Sequence, residues 1–438
     1  MPDFARSGPL APARGLAGRV LRHDMSRAFG ASMLVSIGAR VLQVVMAALL
    51  GRQLGPAGLG VFTVATSAAL LVGEIAAQGW PMLMSRHIPF LTKSGQWNEL
   101  RGLLRMADWM VTIGSLLASA GLYAVGRWIH SSDATYSAGL SLAALLAPAV
   151  AFSRLRRQQY AALHKPIPAL LIDEVSAPLG LIVAALAVGL ASAFSGILIY
   201  TLAWAAAVIA GTLAFRGIWS QELRAAVPAG SFNTWWSTAT GGLLATVSRM
   251  AMGRVDVLML APLISFHDAG IYGAALRITY ILTFPQVVLT TILTPRLSAC
   301  YWAADYAKLR RTFLAGLAIA VATSVPFAVF LILSPVGLIQ LVFGRSFVND
   351  SSLLLYLTLG QMTVSLTMPF TSLLLMTGRE WIVGVLYSVL LAAMIAANFA
   401  LIPAYGYFGP AYTNLAASLA LFLAQGWLTY RLIAGHRA

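Results

Sequence analysis

The stretch "SRMAMGRVDVLML", residues 248 to 260, places Arg249, Arg254 and Asp256 inside an otherwise apolar run. Arg40, Arg277 and Glu74 are set in similar surroundings. A guanidinium stays protonated and presents a planar fork that matches phosphate or carboxylate oxygens, so arginines in such a setting suit anion binding. The two acids can hold the arginines in place or carry a coupling ion, and Gln78 lies one helical turn from Glu74. Nothing here resembles hydrolytic or redox chemistry. The single cysteine, Cys300, cannot form an intramolecular disulfide. No Cys/His cluster has metal-ligand spacing and no Gly-rich Lys loop for nucleotides occurs, so neither a cofactor nor a metal is expected.

The elements that position these charges follow from composition. Apolar residues make up 59% of the chain and charged residues only 10%, far too few to cover a soluble protein of 438 residues. Apolar runs of about 20 residues, enough for the roughly 30 Å hydrocarbon core, recur from end to end. The expected fold is an all-α polytopic membrane protein of about twelve spans: 29 to 50, 60 to 80, 106 to 126, 136 to 152, 169 to 190, 196 to 215, 238 to 262, 270 to 293, 312 to 333, 353 to 375, 381 to 402 and 409 to 431. Residues 1–28 read as a basic, disordered cytoplasmic tail and 216–237 as a cytoplasmic linker between six-helix bundles at 29–215 and 238–438.

Most of the 29 basic residues, including Arg86, Arg101, Arg105, Arg154, Arg156, Arg157, Arg216 and Arg296, fall in loops on the side that holds the N-terminus. Cytoplasmic loops are enriched in Lys and Arg, so both termini are expected in the cytoplasm. The net charge of +15 thus reports topology, and no nucleic-acid partner is needed to explain it. Trp80, Trp109, Trp128, Trp235, Trp302 and Trp381 fall near span ends, as interfacial aromatics do. Asp173 and Glu174 read as N-terminal helix charges of the fifth span, and "RLRRQQ" (154 to 159) as a topology signal that could also gather anionic lipid. Pro148, Pro178, Pro285, Pro326 and Pro369 interrupt spans, where packing or hinge roles are open.

The two halves resemble each other. "LGPAGLGVFTVA" (54 to 65) aligns with "ISFHDAGIYGAA" (264 to 275), matching Gly60 to Gly270 at an offset of 210, and "ELRGLLRMA" with "KLRRTFLAG" at 209. Two repeats of equal orientation, related by an axis along the membrane normal, are implied. The same offset places Arg40 on Arg249.

With "GRQLGPAGLGVF" (51 to 62), "RVDVLMLAPLISFHDAGIYGAALRITY" (254 to 280), "TPRLSACYWAADYAKLRRTF" (294 to 313), "LVFGRSF" (341 to 347) and "NFALIPAYGYFGPAYTNLAAS" (398 to 418), the chain resembles a known family. It is similar to the lipid-linked oligosaccharide and polysaccharide flippases of the multidrug/oligosaccharidyl-lipid/polysaccharide exporter (MOP) superfamily. The resemblance implies two six-helix bundles around a central cavity that opens alternately to either side. Twelve spans rather than the fourteen of lipid II flippases point to the O-antigen or exopolysaccharide branch. A bacterial inner-membrane location is then expected, with membrane lipids and the polymerase and glycosyltransferases of one pathway as partners.

An arginine at the bilayer centre costs about 2.5–3.5 kcal/mol on insertion scales, so the four intramembrane arginines must find partners or water. At about 1.5 Å per residue, Asp256 and Arg277 sit at similar depth and are expected to pair. Glu74 is expected near Arg40, or as a proton carrier. Two positive charges are then left over, and Arg40, Arg249 and Arg254 become the candidate substrate-binding patch; capping of broken-helix carbonyls is the competing role. A cation-coupled multidrug antiporter would share the fold but should carry acidic spans. A membrane glycosyltransferase or polymerase needs carboxylates on a large outer loop, and the longest, near 334 to 352, holds only Asp350.

Overall fold

The computed structural model describes residues 16–129, 134–163, 165–230, 232, 235, 236, 239, 243–333, 335–347 and 351–434; residues 1–15 of the expected tail lie outside them. The described residues form helices and contain no strand. In the N half these are α1 (Leu16–Ala76), α2 (Trp80–Lys93), α3 (Trp97–Ile129), α4 (Ala134–Ala162), α5 (Pro166–Leu170), α6 (Ser176–Ala187), α7 (Ala193–Gly217) and the short α8 (Gln221–Ala225). In the C half they are α9 (Leu243–Met252), α10 (Val255–Leu263), α11 (Phe266–Thr279), α12 (Phe284–Trp302), α13 (Tyr306–Leu333), α14 (Pro335–Phe343), α15 (Ser351–Met376), α16 (Glu380–Tyr405) and α17 (Phe408–Ala434).

Among the described residues nine helices are long and apolar enough to cross a membrane. Helix α1 accounts for two of the expected spans, because Gly55 breaks it with φ 69° and ψ −176°. A Cβ placed on Gly196 would lie 3.6 Å from Leu50 and 3.8 Å from Phe62. Twelve residues of unbroken helix separate such side chains by about 18 Å, so the chain must reverse at Gly55. Adding the broken pair α9–α10 and the more polar α17 restores the expected architecture of about twelve spans. The start of α1 at Leu16 puts residues 16–28 in a helix, where the sequence suggested a tail.

The halves meet through glycine. A Cβ on Gly60 would lie 1.8 Å from the Phe266 carbonyl oxygen, and one on Gly270 1.9 Å from that of Pro56. Each glycine therefore touches the carbonyl four residues before its counterpart, the reciprocal contact that a two-fold axis generates. Without a hydrophobic drive between helices in lipid, small residues allow such close backbone approach. The motif pair "GRQLGPAGLGVF" and "LVFGRSF" adds to this contact. Gly51 packs on Phe343 and Phe347, and the Arg52 guanidinium donates to the carbonyls of Leu341 and Val342.

The core is divided in a telling way. On the Arg-poor side one cluster spans both halves, joining Leu50, Phe62 and Tyr200 to Tyr272, Phe343 and Ile402. On the Arg-rich side each half has its own cluster, one around Trp80, Leu103 and Phe215 and one around Leu297, Phe313 and Phe370. The molecule is sealed on one side and its halves are separately cored on the other. Trp235 and Ala239 belong to the N-half cluster, so part of the linker is docked. Trp80 and Trp235, expected at the interface, are buried, whereas Trp109, Trp128, Trp302 and Trp381 are exposed.

Candidate functional site

The charges of the N half form one network. Arg154 and Arg157, three residues apart on α4 and therefore on one face, meet the π-helical turn Leu171–Val175 that joins α5 to α6. Asp173 Oδ2 accepts from Arg154 Nη1 at 2.5 Å and from Arg157 Nη1 at 2.6 Å, while Ser153 Oγ donates to Oδ1 at 2.9 Å. Glu174 lies 2.9 Å from Arg157 and 3.6 Å from Arg40. Glu74 lies 3.4 Å from Arg154. The expected Arg40–Glu74 pair is thus replaced by Arg40–Glu174 and Arg154–Glu74. Asp173 and Glu174 are buried ion-pair partners and not interfacial helix charges. The wider π turn, of a kind that often marks functional sites, lets two consecutive acids address the same arginine.

Asp256, only 2% exposed, begins α10. Its carboxylate accepts from Tyr272 Oη at 2.8 Å, Asn398 Nδ2 at 3.1 Å and Asn414 Nδ2 at 3.2 Å. Thr413 Oγ1 in turn donates to Asn398 Oδ1. Among the described residues no ion pair joins Asp256 to Arg277, contrary to the sequence expectation. Tyr272 faces the acid, and five residues further along the helix Arg277 has turned by about 140°. Its guanidinium lies over Gly273 near Thr63 of α1, and Nη1 is buried with no hydrogen-bond partner among the described residues. The rotation of the helix between the two residues, which spacing alone does not reveal, separates them.

Arg254 stands at the break between α9 and α10, where its Nη1 donates to the Met250 carbonyl at 3.2 Å. One of the two competing roles, capping a broken helix, is therefore present, and it occupies one of five guanidinium donors. Arg249, on the last turn of α9, is exposed. Arg254 lies within the electrostatic reach of Arg249 and Tyr280 in its own half and of Arg154 and Glu74 across the cleft. Tyr280 opens the 3₁₀ turn Tyr280–Thr283 and lies within the reach of Arg254, Arg277, Asp256 and Arg40. The charges thus converge on the crevice between the halves. Between the halves, Glu74, Met82, Leu243 and Thr246 line a cavity of about 40 Å³.

Charge bookkeeping shifts accordingly. In the N half Arg40, Arg154 and Arg157 face Glu74, Asp173 and Glu174 and cancel them. Among the described span residues of the C half, Arg249, Arg254 and Arg277 are offset in charge by Asp256 only, without pairing to it, which leaves a surplus of two positive charges. Sequence reasoning found this surplus but missed Tyr272, Tyr280, Asn398 and Asn414. Asn398, Thr413 and Asn414 all lie in the quoted motif "NFALIPAYGYFGPAYTNLAAS", where three polar side chains in an apolar pair of spans were the available signal.

Comparison with known proteins fits this architecture. The model of a family described as "Polysaccharide biosynthesis protein" matches residues 102–352, more than half of the chain. The chain belongs to this family. Among curated proteins none matches it. An inward-facing multidrug resistance MATE family transporter of the MOP superfamily superposes with a TM-score of 0.72, covering 93% of this chain and 100% of that one at 13% identity. Lipid II flippase MurJ in an inward closed conformation gives 0.64, covering 91% and 87% at 12% identity. A MOP superfamily transporter from Pyrococcus furiosus, described for the reverse polarity of its binding pocket, gives 0.58, covering 94% and 96% at 13% identity. At such identities the likeness is one of fold, and this polysaccharide biosynthesis family member has the MOP architecture expected from its sequence.

Proposed function

We propose that the protein is a flippase that carries a polyprenyl-pyrophosphate-linked oligosaccharide across the bacterial inner membrane for surface polysaccharide synthesis. The observation that carries this reading is the positive surplus in the crevice between the halves, in a chain of a polysaccharide biosynthesis family. A pyrophosphate is an anion whose oxygens match guanidinium forks. The polyprenyl tail can remain in the bilayer while the head crosses, so the protein must supply only a polar, charged path and alternate its opening. In this structure the path is sealed on the Arg-poor side by Gly60, Gly270 and the contact of Arg52 with α14. With the Arg-rich side in the cytoplasm, this is the state that would receive a newly made head group. Partly solvated arginines favour release as well as capture.

Arg249 and Arg254 are the substrate-facing cations in this reading, Arg40 is poised at the edge of the neutral network, and Arg277 is a supporting cation packed against α1. Glu74 and Asp256 serve as supporting or coupling groups. The polymerase and glycosyltransferases of the pathway are its partners in function. A cation-coupled multidrug antiporter is the second reading, favoured by one observation: Asp256 is held by hydroxyl and amide donors and, among the described residues, by no arginine. The surplus of charge has the wrong sign for a cationic drug. Deleting the gene in its host should trap lipid-linked oligosaccharide on the cytoplasmic leaflet and abolish surface glycan, and the chain supplied in trans should restore both. Normal glycan in the deletion strain with altered resistance to cationic dyes would favour the antiporter.

A further inference from the structure

Away from the crevice, the outer face of the N half carries a second cationic site. One face of α3, at Arg101, Leu104, Arg105, Asp108, Trp109 and Thr112, meets the end of α7 at Arg216 and the following Trp219, and together they line a cleft of about 650 Å³. That volume is within the roughly 300–1,000 Å³ usual for a small-ligand pocket. The residues differ in how far they are already engaged. Arg101 is spent on the carbonyls of Arg224 and Ala226, each at 2.5 Å. Asp108 is neutralised from behind by Arg156 at 3.0 Å. Among the described residues no hydrogen bond or ion pair holds the guanidinium of Arg105 or Arg216, and both side chains are exposed. Trp219 Nε1 is buried and has no acceptor among the described residues, although buried indole N–H groups usually find one.

Two free guanidinia on a cleft that Trp219 also lines, with its indole N–H lacking an acceptor among the described residues, call for an anionic oxygen acceptor. The cleft lies on the Arg-rich side, at the level of exposed Trp109, where tryptophan and arginine mark the headgroup zone of a bilayer. We infer that it binds the phosphodiester headgroup of an anionic membrane lipid. The phosphate sits between Arg105 and Arg216 and accepts from Trp219 Nε1, and the acyl chains run along the apolar outer surface of α3 and α7. Because α8 and the start of the linker are tied to α3 through Arg101 and through Asn98, which accepts from Val227, an occupied cleft braces the segment that joins the two halves.

The test uses the full chain purified in neutral detergent, with lipid adducts counted by native mass spectrometry during titration with dioleoylphosphatidylglycerol or dioleoylphosphatidylcholine. The wild-type chain should retain the anionic lipid about tenfold more tightly or better, each basic residue near the surface contributing roughly fivefold. Arg105→Gln with Arg216→Gln should erase that preference, and Trp219→Phe, which keeps the ring but not the donor, should weaken it severalfold. Melting of all variants in phosphatidylcholine micelles should match wild type, which shows that the fold is intact. Equal retention of both lipids by the wild type, or an undiminished preference in the double variant, would overturn the assignment. So would displacement of the lipid by millimolar inorganic phosphate, which would identify a site for small soluble anions.

Discussion

Replacing Gly60 by alanine probes the seal directly. The added Cβ would stand 1.8 Å from the Phe266 carbonyl oxygen, and real Cβ contacts essentially never fall below 3.0 Å, so the two backbones must part by about 1.2 Å. Neither neighbour is a flexible side-chain end that can swing away. Overpacking a close contact costs about 1–3 kcal/mol, and here the cost falls only on the state in which the halves touch. With a factor of ten for every ~1.4 kcal/mol, the population sealed on the Arg-poor side should drop by roughly 5- to 150-fold relative to the opposite state. Each half, having its own apolar core on the Arg-rich side, should stay folded. The assay is double electron–electron resonance in a Cys300→Ser background, with spin labels at Ala191→Cys and Ala404→Cys, exposed positions on the Arg-poor side of each half. The variant should lengthen the main distance, and Gly270→Ala should do the same. A folded Gly60→Ala protein with an unchanged distance distribution would refute the claim that this glycine contact is the gate.

The remaining predictions concern the buried charges. Asp256→Ala should strongly reduce folded protein in membranes, because Tyr272, Asn398 and Asn414 lose their acceptor at about 1–3 kcal/mol for each buried donor left unsatisfied. Arg277→Ala should leave abundance near normal and should not rescue Asp256→Ala; recovery in the double variant would restore the ion pair that the structure lacks. Asp173→Ala strips Arg154 and Arg157 of their shared acceptor and should cost about 3–5 kcal/mol, the usual penalty for an uncompensated buried charge. Thermal unfolding in detergent would register it, and a melting temperature equal to wild type would contradict the network.

Much of this architecture was legible because membrane spans and small-residue contacts are written locally. An offset of 210 residues picked out Gly60 and Gly270 before their contact was known, and the surplus of two positive charges follows from counting alone. Partner choice was not legible. It depends on how each helix is rotated, and the chain resets rotation at Gly55, at the π turn Leu171–Val175, at the α9–α10 break and at the 3₁₀ turn Tyr280–Thr283. Arg154 and Arg157 looked like topology signals because Asp173 and Glu174 lie sixteen to nineteen residues away across a loop and Glu74 lies on α1. Asn398 and Asn414 looked like ordinary polar residues, since only packing of α16 against α17 and α10 brings their amides to Asp256.

The central claim is that a cationic crevice between the halves carries a lipid-linked anionic head group. It is tested most directly by flipping of a fluorescent polyprenyl-pyrophosphate oligosaccharide in liposomes containing the purified chain, compared with Arg249→Ala, Arg254→Ala and the corresponding lysine variants. Arg249→Ala and Arg254→Ala should reconstitute in equal amount and lose transport, by tenfold or more for loss of a charge-assisted pair worth about 1.5–3 kcal/mol. Lysine should restore it only in part, since the charge returns without the bidentate fork. Well-reconstituted alanine variants that flip the lipid at the wild-type rate would contradict the account.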